Sequence, residues 1–496
     1  MSPLQLSVFW RLSLAFFFNS FLFFLDIFLA VVVDAKCHAG NATSESGSKR
    51  GSTLPRNQSE VEDLFGEESD WVTKSDDRDS VCGWTSWLTY GQTVYMVGLL
   101  LGSLVGGALS DRYGKRPVLL FSVYVQAVCG LLPAVLPQPF LFLAVRCLAG
   151  VCCCCINNCS FSLAVEWTAP SARLWPPAFL GFCFSLGTMA GALLAWLSPT
   201  WTQLHLSLAL PQFICLPLYR SLPESPSWLA LMGRTDVLFR YRKGNAADKQ
   251  CVDMLLGSNV AEKQKAAEAQ KDQTTSGLLP FKHPTVLLRL SVMSYLGAAT
   301  ALTYYGICMN IGSFGVNVYS AQFFSGLSET PCLLIPLVRL DRRPFSMLTL
   351  FLSGAACFLS LLLSRHQCDA MLVMSLALLG KFCIIATIFI LSLYSIELFP
   401  TVVRQRCMSM VNLWFRLGCL VSTLFPPNPE GALSLAAMLI YGGGPIIGCG
   451  LCLLLPETIG IPLPDSVDDC LRATTQDPVK RTRKLQSQMA VVGASE

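Results

Sequence analysis

Gly107-Ala108-Leu109-Ser110-Asp111-Arg112-Tyr113-Gly114-Lys115-Arg116 lies between two long apolar runs, at about 90–110 and 117–136. Each run approaches the roughly 20 residues that a helix needs to cross a hydrocarbon core. So short a polar stretch between two such runs predicts a tight, glycine-assisted turn at the cytoplasmic face. There Arg112, Lys115 and Arg116 anchor the loop at the surface, and Asp111 faces the N-terminus of a neighbouring helix, whose positive dipole end favours a carboxylate. The plainer alternative is a turn that only keeps positive charge on the cytoplasmic side.

Composition extends that reading to the whole chain. Of 496 residues 53% are hydrophobic and only 14% charged, with a mean hydropathy of +0.51, too apolar for ordinary soluble domains. A net charge of +4 without basic tracts interleaved with aromatics excludes a nucleic-acid footprint. Most of the 22 cysteines fall inside apolar runs, as Cys152, Cys153, Cys154 and Cys155 do; with no histidine near, they predict small helix-packing residues rather than a metal site. Cys37 and Cys82 differ, because they bracket a polar segment carrying the sequons that begin at Asn41 and Asn57. That pattern suits a glycosylated ectodomain, where the two cysteines either pair in a disulfide or stay free.

Twelve apolar spans can be laid out. The first, about 8–33, exceeds a signal-peptide core and lacks a clear cleavage site, so a retained helix is expected over a leader. The others fall near 90–110, 117–136, 141–163, 176–197, 203–220, 286–308, 318–338, 345–364, 370–394, 407–426 and 434–455. With that count the loop bases, from Arg112 to Arg406, fall on one side, which is therefore cytoplasmic together with both termini. The expected organisation is a first helix in 1–33, an extracellular loop at 34–89, helices two to six in 90–220, a cytosolic connector at 221–285, helices seven to twelve in 286–455 and a cytosolic tail at 456–496.

Matched loops point to duplication. Glu166 and Arg173, seven apart after the fourth span, recur as Glu397 and Arg404 after the tenth, and Pro223-Glu224-Ser225 recurs as Pro456-Glu457-Thr458. Paired halves around a midplane cavity are the sequence-level sign of alternating-access transport.

The loop at Gly107, Asp111, Arg112, Gly114, Lys115 and Arg116 resembles the signature loop of the major facilitator superfamily, in which the contact holds the halves together and gates the cavity. The corresponding second-half loop, Val338-Arg339-Leu340-Asp341-Arg342-Arg343-Pro344, is degenerate. A narrower resemblance, to the organic anion/cation/zwitterion transporters of solute carrier family 22, rests on several runs. These are Pro223-Glu224-Ser225-Pro226-Ser227-Trp228-Leu229, Tyr304-Tyr305-Gly306, Gly380-Lys381, Glu166-Trp167, and Tyr394-Ser395-Ile396-Glu397-Leu398-Phe399-Pro400-Thr401-Val402-Val403-Arg404-Gln405, with Leu455-Pro456-Glu457-Thr458 and the residues after it. It runs from about 82 to 470 and implies an all-α membrane fold of twelve helices in two six-helix halves.

Anion-selective members resemble this chain in carrying arginine at Arg416, which the resemblance makes the charge-selecting residue. Independently, an arginine inside an apolar span must face a cavity or a partner; the alternative to a substrate role is pairing with Glu329 or Asp26. Tyr304, Tyr305 and Trp196 stand where anion-type members place pocket aromatics, and each could equally be a packing residue. Lys381 is either a second cavity cation or a helix-packing residue. Arg146 with Gly150 resembles a family motif tied to conformational coupling. Two departures stand out: Ser227 replaces a usual arginine, and Leu333 replaces a cavity lysine, which puts exchange of dicarboxylates in doubt.

The expectation is a plasma-membrane transporter of amphipathic organic anions, not an enzyme, with a small organic ion, the lipid bilayer and a counter-ion or exchange substrate as partners and no cofactor. No phosphate-binding Gly-x-x-x-x-Gly-Lys-Ser/Thr loop is present for ATP hydrolysis. Alternatives are a non-transporting receptor or scaffold with the same fold, and a carrier of cations or zwitterions.

Overall fold

A computed structural model describes residues 3–33, 85–88, 90–136, 138–168, 175–242, 248–254, 284–310, 316–331, 341–366, 369–399, 401–424 and 435–458. Asn41, Asn57, Cys37, Cys82, Arg173, Leu333 and the tail after Thr458 lie outside the described residues, as does the side chain of Ser227.

Twelve long helices follow in order: α1 Pro3–Val33, α2 Gly91–Tyr113, α3 Lys115–Val135, α4 Pro139–Glu166, α5 Trp175–Trp196, α6 Trp201–Ile214, α7 Pro284–Met309, α8 Val318–Glu329, α9 Arg342–Arg365, α10 Ala370–Leu398, α11 Thr401–Ser422 and α12 Leu435–Leu451. Eight of them are long and apolar enough to cross a membrane by themselves. The remaining four are α6, α8 and α12, which are shorter within the described residues, and α11, which carries Arg404, Arg406 and Arg416. The expected sixth span, 203–220, ends early as a regular helix because Pro211 and Pro217 remove two backbone donors, and a separate turn at Leu216–Tyr219 completes it.

Packing repeats six helices on. In the first half α4 packs against α2 and α3, α3 against α6, and α1 against α5; in the second, α10 packs against α9, α9 against α12, and α7 against α11. The halves meet through α5 with α8 and α2 with α11. Small residues allow the closest approaches: a Cβ on Gly98 would strike the Cys147 carbonyl of α4, and one on Gly150 would lie 3.1 Å from the Gly98 Cα. The cysteine run Cys152–Cys155 lies buried in α4, as small packing residues would.

The connector docks beneath the first half. Leu238, Cys251 and Val252 share a buried cluster with Val8, Leu12, Trp167 and Tyr219, while Asp248 Oδ1 accepts a 3.2 Å hydrogen bond from the Leu4 amide, one of the donors a helix start leaves unpaired. α1 is thus held at its first turn and buried along most of its length.

Candidate functional site

Each half closes an ionic clasp at one end of the bundle, where the loop bases gather. In the first half Lys115 Nζ lies 2.6 Å from Glu166 Oε1, and Ser225 Oγ donates to the same carboxylate. Glu224 Oε2 accepts the Arg116 amide at 3.0 Å and its Oε1 the Ser225 amide at 2.9 Å. In the second half Arg342 Nη2 reaches Glu397 Oε1 at 3.1 Å and Thr458 Oγ1 donates to Glu397 Oε2 at 2.6 Å. Glu457 accepts the amides of Arg342, Arg343 and Thr458 at 2.9–3.1 Å.

The repeated glutamates are legible in the sequence; their partners are not. Lys115, expected at the surface, is buried with Glu166, because the turn at Gly114 drives it under the helix ends. Arg116 Nη2 bonds the Arg220 carbonyl at 2.6 Å, and Arg404 Nε bonds the Phe399 carbonyl at 3.1 Å. Gly114 supplies the turn, with φ of +96°, whereas Gly107 lies inside α2, where an added Cβ would meet nothing. The expected glycine-assisted turn therefore needs only the second glycine. Arg112 and Asp111 are exposed; the Asp111 carbonyl accepts a 3.1 Å bond from the Trp228 indole. Burial drives the Glu224 carboxyl above the ordinary glutamate range, while its backbone N–H partners pull the other way.

The middle of the bundle holds two buried ion pairs. Arg146 of α4 bonds Asp26 of α1 at 2.5 Å and the Leu22 carbonyl at 2.9 Å, with its guanidinium 4.3 Å from the Tyr95 ring centroid. α1 bends at residue 24, which frees that carbonyl from its helical bond and makes it available to arginine. In the second half, Lys381 Nζ of α10 lies 2.6 Å from Glu329 Oε1 of α8 and also donates to Ser325 Oγ and to the Ser325 carbonyl. The Tyr304 hydroxyl of α7 donates to Glu329 Oε1 at 2.8 Å. Ser185 Oγ of α5 donates to Glu329 Oε2 at 3.0 Å, a bond between the two halves.

These pairings separate the readings of Arg416. Both of its candidate acids are engaged elsewhere: Asp26 by Arg146, Glu329 by Lys381. Arg416 is half-buried, its guanidinium 6.0 Å from the Phe415 ring centroid, and among the described residues no hydrogen bond or ion pair reaches it. The titratable groups whose charges bear most on it are the Cys153 and Cys154 thiols of α4, Cys419 and the Tyr305 phenol. None is an anion at neutral pH in an apolar setting.

Tyr305 joins this cation to an aromatic cluster across the halves. Its ring stacks on Phe23 of α1 at 5.8 Å and meets Tyr304 edge-on at 4.9 Å, and Phe23 also contacts Tyr95 and Phe184. Phe28 stacks on Tyr319 at 5.8 Å farther along α1. Trp196 does not join the group. It is the last residue of α5, 64% exposed, and stands eleven residues beyond Ser185, about 16 Å along the helix axis. Beside the site, a small open cleft of about 80 Å³ runs between α7, α10 and α11, lined by Thr300, Ser392, Asn412 and Phe415 among others but not by Arg416. Phe23, Ser185 and Glu329 were missed or misassigned as site residues because their partners sit on other helices, 25 or more residues away in sequence; only their intramembrane polarity or position marked them.

A family model described as Major Facilitator Superfamily matches residues 83–423. The chain is 33% identical over 400 residues to solute carrier family 22 member 6 of Pseudopleuronectes americanus, covering 78% of this chain and 70% of that protein. It is 32% identical over 399 residues to organic anion transporter 3 of Oryctolagus cuniculus, covering 79% and 73%. Among solved structures, the proton:xylose symporter XylE bound to 6-bromo-6-deoxy-D-glucose superposes with a TM-score of 0.61 at 16% identity, over 95% of this chain and 100% of that one. The human organic anion transporter MFSD10 gives 0.54 at 16% identity, over 92% and 99%. At those identities the structures speak for the fold alone.

Proposed function

Since this chain belongs to solute carrier family 22 of the major facilitator superfamily, and is a multi-pass membrane transporter rather than an enzyme, we propose that its cargo is an amphipathic organic anion bound at Arg416. The observation that carries the proposal is the lone guanidinium: among the described residues, a cation within a membrane bundle whose two candidate acids are already paired with other bases. A guanidinium keeps its charge there and grips a carboxylate or sulfonate through two parallel hydrogen bonds. Tyr305, with Phe23 stacked on it and Tyr304 beside it, offers apolar area to the organic body of the ligand.

Transport then follows from movement of the halves about this midplane site. The clasps at Glu166/Glu224 and Glu397/Glu457 keep each half rigid, while Ser185–Glu329, Phe23–Tyr305 and Phe28–Tyr319 hold the halves together from the middle toward the end opposite the clasps. That arrangement suits a cavity open at the clasp end, with the Asp111 loop as the contact that forms when this end closes. The clasp end and both termini are cytosolic in this reading, and the membrane is the plasma membrane. Uphill flux draws on a counter-ion or exchange substrate.

The test is uptake of labelled organic anions and cations into cells bearing the wild-type chain or Arg416→Asp at matched surface abundance. Anion uptake falls by about tenfold or more in the variant, as loss and reversal of one charge at the site requires. Anion uptake equal to wild type, or no flux of any compound by abundant surface protein, rejects the reading.

A further inference from the structure

Lys381 is completely buried, and its three ammonium donors are all taken: one by Glu329 Oε1 at 2.6 Å, the others by the Ser325 hydroxyl and carbonyl. Glu329 accepts from Lys381, Tyr304 and Ser185. Lys381 therefore has no donor left for a ligand, and Glu329, an acceptor only, offers nothing to an anion. Their charges nevertheless bear on one bound among the aromatics, because Tyr304, which bonds Glu329, meets Tyr305 edge-on at 4.9 Å, and Tyr305 in turn stacks on Phe23 of the other half. Among the described residues, the middle of the bundle thus contains the cations Arg146, Lys381 and Arg416 and the carboxylates Asp26 and Glu329. Two neutral pairs cancel, and one positive charge remains.

From this we infer that the Glu329–Lys381 pair is a charge-setting counter-ion couple rather than part of the ligand's grip, and that it limits the carrier to organic anions with a single negative charge. In an apolar cavity the site's net charge matters as much as its contacts, since an uncompensated second charge on the ligand is expensive to desolvate. A monoanion brings the middle of the bundle to neutrality. A dianion leaves one charge without a counter-charge. Lys381 and Glu329 are positioning residues for the electrostatics of the site. The inference rests on the proposed anion site at Arg416 and adds the charge class of its ligand.

The experiment uses the full-length chain in proteoliposomes, with transport scored per correctly inserted molecule. The probes are a labelled aryl monocarboxylate and the dicarboxylate of the same skeleton. Four proteins are compared: wild type, Glu329→Gln, the doubly neutral Glu329→Gln/Lys381→Met, and Arg416→Asp. Wild type takes the monoanion in preference to the dianion. Glu329→Gln raises the net charge to two positive and shifts the ratio toward the dianion by about tenfold. The doubly neutral protein restores a single positive charge, so its monoanion uptake and its ratio return to within about threefold of wild type. A second neutral pair, Glu329→Gln/Lys381→Gln, replaces the first if that protein fails to insert.

A doubly neutral protein that inserts but has lost monoanion uptake overturns the inference, because Lys381 would then touch the ligand itself. A ratio unchanged in Glu329→Gln overturns it as well. Failure of the underlying anion site reads differently: wild type would carry neither probe, or Arg416→Asp would carry the monoanion as well as wild type does.

Discussion

Gly114 is the residue on which the first-half clasp turns. Its backbone, at φ +96° and ψ +156°, occupies a region that only glycine adopts without strain, and a Cβ there would lie 2.7 Å from Glu224 Oε2 and 3.3 Å from the Trp228 ring. Gly114→Ala therefore lowers stability by about 1–3 kcal/mol, visible as a reduced thermal midpoint of the detergent-solubilised protein. Gly107→Ala, where nothing lies within 4 Å, leaves the midpoint unchanged and serves as the control. The sequence made both glycines equally prominent; only backbone geometry distinguishes them. Other single residues were legible in part. Arg416 stood out as an arginine in an apolar run, but whether it was paired depended on where Asp26 and Glu329 found their own partners.

At the scale of elements, α2 and α4 form the tightest pair in the first half, and the contact is made by glycine against glycine. Gly150→Leu drives a side chain into the Tyr95 carbonyl and the Leu99 amide, 3.1 Å away, and so separates the helices that bring Tyr95 over Arg146. Overpacking of this kind costs about 1–3 kcal/mol, so the expected outcome is a lower thermal midpoint and reduced surface delivery, with Gly150→Ala intermediate. Helix existence was readable from apolar run lengths throughout. Helix ends were less so: α11 begins at Thr401 rather than near 407, since Arg404, Gln405 and Arg406 interrupt the apolar run without interrupting the helix. Around Pro133 in α3, where the helix lacks a donor, Trp201 Nε1 bonds the Pro133 carbonyl at 2.9 Å and the His205 imidazole meets that of Gly130 at 3.1 Å. Nothing in the local sequence of α6 announces that role.

For the whole molecule, twelve helices in two repeated halves were legible because duplication leaves matched motifs and a bilayer imposes a fixed span length. The interface between the halves was not, since it is made by single contacts between distant helices. One of these can be tested directly: a Cβ on Gly326 would lie 2.9 Å from the Met189 Cγ across the α5–α8 seam. The pair Gly326→Cys and Met189→Cys should cross-link under mild oxidant and arrest uptake, with recovery on reduction, while Met189→Cys alone stays active. Uptake that survives complete cross-linking would mean that this seam does not open during the cycle. The second-half clasp carries a further consequence. Glu457 holds the amides of Arg342 and Arg343, which any residue but proline presents, so the grip is indifferent to the side chains it grips. The wording of the second-half loop can therefore depart from that of the first half without loosening this grip, while the ion pair to Glu397 alone still demands the arginine at 342.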